Sequence, residues 1–293
     1  SLAMAAAAAR FSNGALLQHR WGGLQSIRDL KQLDAGLDDP RRLQDLADQL
    51  REIHRLVLAA PRQCLLVAEP EQLETFQARF VAALSPAPAA SHRDFSRPAL
   101  CEPSNQLWTT GTQVNFCARA YPTVAMDHPD AAALSVLGGF LRNGFLHTAI
   151  REKGGAYGGG ASQDSTIGAF RFFSYRDPRL AETLADFDRA LDWLASGDHA
   201  PRRVEEAILG VIASLDKPGS PAGEAKQTFH AELYGRDRER RERFRSRVLA
   251  VTLADLQRVA DTWLRPERAS TAVITAADRT AQLDGLGLAV HAL

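Results

Sequence analysis

Arg151 and Tyr157 are the residues of this chain whose types and spacing could do chemistry. They lie in the stretch 141–162, LRNGFLHTAIREKGGAYGGGAS. A guanidinium brings several fixed hydrogen-bond donors and a permanent charge, and a phenol brings one donor more. Six residues apart across a helix-to-strand break, the two can converge on one cleft as hydrogen-bond donors. Donors alone cut nothing, so this chemistry asks for a metal or a base. Plainer uses exist for the same residues: arginine in the last turn of a helix is favoured by the helix dipole, and tyrosine is at home on a strand edge.

The elements that must position them follow from periodicity. Leu134, Leu137, Leu141 and Phe145 recur at helical spacing, Asp127 reads as the N-cap with Pro129 in the first turn, and Gly154-Gly155 stops the helix. Strands are expected at 156–163 and 168–175, the second carrying Phe170, Phe172, Phe173 and Tyr175. Upstream, Val114, Phe116, Ala118 and Ala120 alternate with Gln113, Asn115, Cys117, Arg119 and Tyr121, the pattern of a half-buried strand. Helices follow at 178–196, 201–216, 221–234, 236–247 and 252–264, with a closing strand at 271–275.

Ahead of these, residues 1–60 read as a helical arm. Ile27, Leu30 and Leu33 form one stripe, and Leu43, Leu46, Leu50 and Ile53 form another after the break at Asp38-Asp39-Pro40. Two helices cannot close a core, so the arm must pack on something. Cys64–Val67 reads as a buried strand, Pro70 to Leu84 as a helix, and 85–98 as a Pro/Ala/Ser loop. The sum is an α+β domain over 61–293 preceded by the arm over 1–60. Its expected form is a two-layer sandwich, a mixed and largely antiparallel sheet with helices on one face.

None of the eight histidines pairs as HExxH or HxxEH, the spacings that put two imidazoles and a carboxylate on one helical face. Gly155–Ser162 is a near miss to a phosphate-binding loop, but Ala161 stands where the lysine is needed and the order is helix-to-strand. Those glycines, Gly158 and Gly159 among them, let a neighbouring chain approach the backbone closely, and a peptide laid along the strand needs the same freedom. No G-x-S-x-G elbow exists, and Cys117 with His147 is a coincidence of composition. The seven arginines of 236–247 are interspersed with Asp237, Glu239 and Glu242 at helical pairing distance, as on a solvated helix face.

Lys+Arg and Asp+Glu are both 35, so no imbalance of charge draws the chain to nucleic acid or to an anionic membrane. Three cysteines without a CxxC spacing argue against a disulfide framework and for a reducing compartment. No apolar run approaches the roughly 20 residues needed to span a bilayer. The opening SLAMAAAAARFS lacks a basic n-region and a bulky apolar h-region, and it reads as a boundary cut into a longer protein. Arginine far in excess of lysine, with abundant alanine, suggests GC-rich bacterial coding and so a bacterial cytoplasm.

IREKGGAYGGGAS closely resembles the C-terminal half of presequence-protease-type peptidases of the pitrilysin/insulysin superfamily, peptidase family M16, subfamily C. HPDAAALSVLGGFLRNGFLHTAIREKGGAYG and TQVNFCARAYP are similar to the same region, and residues 1–60 resemble the end of the preceding helical segment. The resemblance implies two clam-shell halves closing around a peptide. It puts the HxxEH zinc site, with its glutamate-activated water, in the N-terminal half. From the C-terminal half it implies an arginine and a tyrosine, which match Arg151 and Tyr157, as catalytic and substrate-binding residues. On this resemblance Tyr157 donates to the oxyanion, Arg151 orients the substrate, and the strand of Gly158 and Gly159 offers its edge to an extended peptide. The chain lacks the zinc half, so the expectation is a fragment that is inactive alone, partnered by that half and acting on unstructured peptides. A separately encoded non-catalytic partner subunit, or a stand-alone peptide-binding module, is the alternative.

Overall fold

The computed structural model describes residues 2–83 and 102–293, so the Pro/Ala/Ser segment 85–98, Leu84 and Cys101 lie outside the described residues. In chain order the first helices are α1 (Leu2–Ala8), α2 (Asn13–Gly22), α3 (Leu24–Asp34), α4 (Pro40–Ala59) and α5 (Pro70–Ala83). Strands β1 (Gln106–Thr109) and β2 (Phe116–Pro122) lead to α6 (Ala131–Leu141), which continues as a π-helix over Arg142–Lys153. After β3 (Gly158–Asp164) and β4 (Ala169–Tyr175) come α7 (Ala181–Ala195), α8 (Pro201–Leu215), α9 (Pro221–Leu233), α10 (Arg238–Leu249) and α11 (Leu253–Trp263). Strands β5 (Ser270–Thr275) and β6 (Ala289–Ala292) end the chain. These fall into a sheet-bearing unit, 2–29 with 102–216 and 239–293, and a helical unit, 30–83 with 217–238.

In the sheet-bearing unit the strand order is β3-β4-β2-β5-β1-β6. Pairing is antiparallel from β3 through β5, while β1 runs parallel to both β5 and β6. The mixed, largely antiparallel α+β sheet is therefore present as expected. One face is covered by α6, α7, α8 and α11, whose Leu137, Leu141, Phe187 and Leu256 share a core with Phe170 and Phe172 of the sheet.

The other face holds a correction. The alternation over 112–121 predicts a strand buried on one side, yet Cys117, Ala118, Ala120 and Tyr121 are all fully buried. The cause is α1. Its Ala3, Ala6, Ala7 and Ala8 pack against Ala118, Ala120, Ala169 and Ala272, and methyl-on-methyl contact brings the helix close to the sheet. The alanine run is a core element.

Two more expectations change. Asp127, read as the N-cap of α6, is exposed and pairs with Arg240 at 3.7 Å, because the chain makes a turn from Ala125 to His128 before the helix begins. Asp130 takes the cap position, but its carboxylate accepts from Trp263 Nε1 (2.9 Å) and pairs with Arg258 (2.8 Å) instead of capping. The arginines of α10 do more than face solvent. Arg245 reaches Asp216 at 2.8 Å, and Arg247 donates to the carbonyls of Met126 (3.1 Å) and His128 (2.8 Å), tying α10 to the chain ahead of α6.

In the helical unit α4 starts at Pro40 behind Asp39, whose carboxylate accepts from Arg41 N at 2.9 Å. No residue of α4 or α5 is buried, and Leu43, Leu50 and Ile53 are each more than half exposed. Cys64–Val67, expected as a buried strand, is unpaired and largely exposed. The described elements of this unit are helices, which offer it no strand edge.

Candidate functional site

Arg151 and Tyr157 flank the passage from helix to strand. With α-helical spacing, the inward stripe of α6 would continue from Leu141 to Phe145. The π-helical turn bonds one residue further along the chain, and the inward positions become Leu146 and Ile150, both fully buried. Arg151, next to Ile150, then faces solvent in the last turn. Gly144 allows this register, since the Trp193 indole fills the space a Cβ would need, its nearest atom 2.2 Å away.

The helix ends on Gly154, and Gly155 takes φ 76, a conformation that L side chains rarely adopt. Gly155 N donates to Arg151 O and Ala156 N to Ile150 O, both at 3.1 Å, so the turn is closed by its own backbone. Ala156 is buried and Tyr157 emerges 66% exposed at the head of β3. Its ring meets Tyr175 edge-on at 5.6 Å, and Tyr175 in turn meets Phe116 at 5.5 Å. Among the described residues the Arg151 guanidinium and the Tyr157 hydroxyl have no hydrogen-bond or ion-pair partner, so both donors are free to meet a ligand.

Strand β3 is the outermost described strand of the sheet, paired with β4 from Gly158↔Tyr175 to Asp164↔Ala169 and, among the described residues, unpaired along its other side. A Cβ on Gly158 would meet nothing within 4 Å. One on Gly159 would lie 2.7 Å from Ile150 Cγ2 and 3.1 Å from the Phe173 carbonyl oxygen, so this glycine lets the π-helix press onto the strand. The two glycines thus serve opposite sides, one open and one packed.

A supporting network was not legible in the sequence. The Arg179 guanidinium crosses over Gly154 to the Ala149 carbonyl (3.2 Å) and the buried Asp186 carboxylate (3.0 Å), stapling the end of the π-helix to α7. Asn115, fully buried, donates to the carbonyl of Asp177 at 3.0 Å and accepts from Thr275 Oγ1 at 2.6 Å. It joins β5 to the turn after β4. Only its buried position distinguishes it from the other polar residues of the alternating stretch.

Other chemistries find no support here. Burial above all, with Asp177 nearby, pushes the Cys117 thiol up to about 12, so it stays protonated. His147 sits 3.2 Å from Glu152, not beside Cys117. Among the described residues no cluster of three or more His, Cys, Asp or Glu side chains could hold a metal ion. A cavity of about 920 Å³ opens between α7, α11 and the sheet, but Arg151 and Tyr157 do not line it and its Arg119 is paired with Asp188. Among the described residues no helix is long and apolar enough to cross a membrane.

The family described as the PreP C-terminal domain matches residues 105–278, a span that contains both candidate donors and β3. A mitochondrial presequence protease of Emericella nidulans is 35% identical over 269 residues, covering 89% of this chain and 25% of that protein. Its counterpart in Xenopus laevis is 30% identical over 276 residues, covering 80% of this chain and 26% of that protein. The chain thus spans about a quarter of the length of these relatives. The solved peptidase M16 inactive domain from Pseudomonas fluorescens shares the fold, with a TM-score of 0.54 at 18% identity over 72% of this chain and 52% of that one. The chain belongs to the PreP C-terminal domain family.

Proposed function

We propose that this chain is the C-terminal, non-zinc-binding portion of an M16, subfamily C, zinc metalloendopeptidase that degrades unstructured peptides. Its part is to supply Arg151 and Tyr157 to the catalytic chamber. The observation that carries the reading is two exposed donors, unpartnered among the described residues, on either side of the turn into β3, whose outer edge is likewise unpaired among those residues, in a chain whose relatives are named presequence proteases.

An extended peptide adding to the free edge of β3 would exchange backbone hydrogen bonds with it and run past the open side of Gly158. That register brings a peptide carbonyl to Tyr157. The phenol then donates to the oxygen as negative charge develops there, and Arg151 orients the same carbonyl or its neighbour. Gly159 acts through packing, by holding Ile150 and hence Arg151 against the strand. Zinc is implied by the family resemblance, but the described residues hold no ligand set for it, so no step is assigned to a metal on this chain. Zinc ligands and general base belong, on this proposal, to the N-terminal half of the same protein.

Residues 1–60 are proposed as the end of the preceding domain or linker and 61–293 as the C-terminal domain, with α1 reaching into the sheet core. A bacterial cytoplasm remains the proposed compartment on composition alone, whereas the relatives carry the word mitochondrial in their names.

The test is zinc content and peptide hydrolysis of the isolated chain, predicted to be nil for both. Stoichiometric tightly bound zinc, or chelator-sensitive cleavage, overturns the reading. A reading frame that continues upstream into an HxxEH segment separates this proposal from a separately encoded partner subunit.

A further inference from the structure

Among the described residues Arg176 is the one non-glycine with positive φ, at 49°. Arginine in this left-handed region carries backbone strain that glycine would not. The neighbours hold the strained turn in place. Asn115 and Asp177 exchange backbone hydrogen bonds at 2.8 and 2.9 Å, and the Asn115 side chain adds a third at 3.0 Å, so the residue after Arg176 cannot relax. Strain kept by such surroundings points to a task for the side chain.

That side chain lies over two tyrosines. The Arg176 guanidinium is 5.8 Å from the centre of the Tyr157 ring and 5.5 Å from that of Tyr175, whose rings meet edge-on at 71°. The Arg176 carbonyl also accepts from Tyr157 N at 3.3 Å. Its charge has no carboxylate partner among the described residues, so the ring faces are its contacts. Tyr157, 66% exposed, would otherwise be free to turn about its side-chain bonds.

We propose that Arg176 is a positioning residue: strained into the left-handed region, it braces the Tyr157 ring against Tyr175 and so aims the phenol at the peptide carbonyl. The inference rests on the role proposed for Tyr157. Bracing a donor that acts in the transition state affects kcat rather than KM.

The experiment uses the full-length peptidase with Arg176→Gly, Arg176→Lys, Tyr157→Phe and the double variant Tyr157→Phe/Arg176→Gly, assayed on one unstructured peptide. Glycine accepts φ 49 without strain, so the Tm of Arg176→Gly should be unchanged or raised. Its kcat should fall about tenfold, the value of two modest cation–π contacts, with KM within about twofold of wild type. Arg176→Lys should recover most of the loss. In the Tyr157→Phe background, Arg176→Gly should cost nothing further. The inference is overturned if Tyr157→Phe lowers kcat while Arg176→Gly does not, if the loss sits in KM, or if it is undiminished in the double variant. A fall in Tm that parallels the activity loss marks a purely structural residue and overturns it equally. Wild-type turnover of Tyr157→Phe would refute the role of Tyr157 itself, and the bracing with it.

Discussion

Replacing Gly159 by alanine tests how the site is held. The added methyl would sit 2.7 Å from Ile150 Cγ2, 3.2 Å from Ile150 Cδ1 and 3.1 Å from the Phe173 carbonyl oxygen. The carbonyl belongs to β4, which is paired on both sides, with β3 and β2, and cannot give way. Ile150 must move instead, and it is fully buried in the last turn of the π-helix, one residue before Arg151. Overpacking of this kind costs about 1–3 kcal/mol. At about 2–4 °C per kcal/mol for a chain of this size class, Tm should drop by roughly 2–12 °C. Gly158→Ala is the matched control, because its methyl meets nothing within 4 Å and should leave Tm unchanged or slightly raised. In the full-length peptidase, the shift passed to Arg151 should lower kcat/KM for Gly159→Ala, on the order of 10²-fold for a displacement near 1 Å. Thermal melts of the two variants, followed by steady-state kinetics, make the comparison. Equal Tm values for Gly159→Ala and Gly158→Ala would refute the packing argument.

Two further outcomes concern the sheet's second face. Ala6→Leu forces a larger side chain into the fully buried contact between α1 and the sheet, and should lower stability by about 1–3 kcal/mol in urea unfolding; an unchanged midpoint would mean that α1 does not pack there. Burial first, and then the Arg28 charge, hold the His19 imidazole below its ordinary 6.5. Above that value His19 is neutral in both the folded and unfolded chain, and as pH falls through it only the unfolded chain gains the proton, so stability is lost on acidification. The urea midpoint should therefore fall from pH 7.5 to about 5.5, with a shallower slope in His19→Leu; identical slopes in the two proteins would contradict the assignment.

What could be read from the sequence was whatever its neighbours in the chain dictate. The break at Gly154-Gly155 and the strands on either side of Gly168 are local, and so is the placement of Arg151 in the last helical turn and of Tyr157 just ahead of β3. What could not be read depends on distant partners. A run of alanines has no apolar periodicity to show which face is buried, and α1 becomes a core helix only because Ala118, Ala120 and Ala272 present equally small side chains. The π register depends on Trp193 filling the space beside Gly144, 49 positions earlier in the chain. β1 and β6 are four-residue strands that exist through parallel pairing with each other and with β5. Arg176 carried no signal at all, since nothing in the residue type announces a positive φ.

The claim at the centre of this account is that Arg151 and Tyr157 serve catalysis rather than folding. Its most direct test is kcat/KM of Arg151→Ala and Tyr157→Phe in the full-length peptidase, measured beside Tm and zinc content. Loss of one transition-state donor predicts a fall of ~10²-fold or more in each, with Tm and zinc content unchanged, because both side chains are exposed, the Arg151 guanidinium and Tyr157 hydroxyl have no hydrogen-bond partner among the described residues, and Tyr157→Phe keeps the ring contacts with Tyr175 and Arg176. Wild-type kcat/KM in both variants, with folding intact, would contradict it.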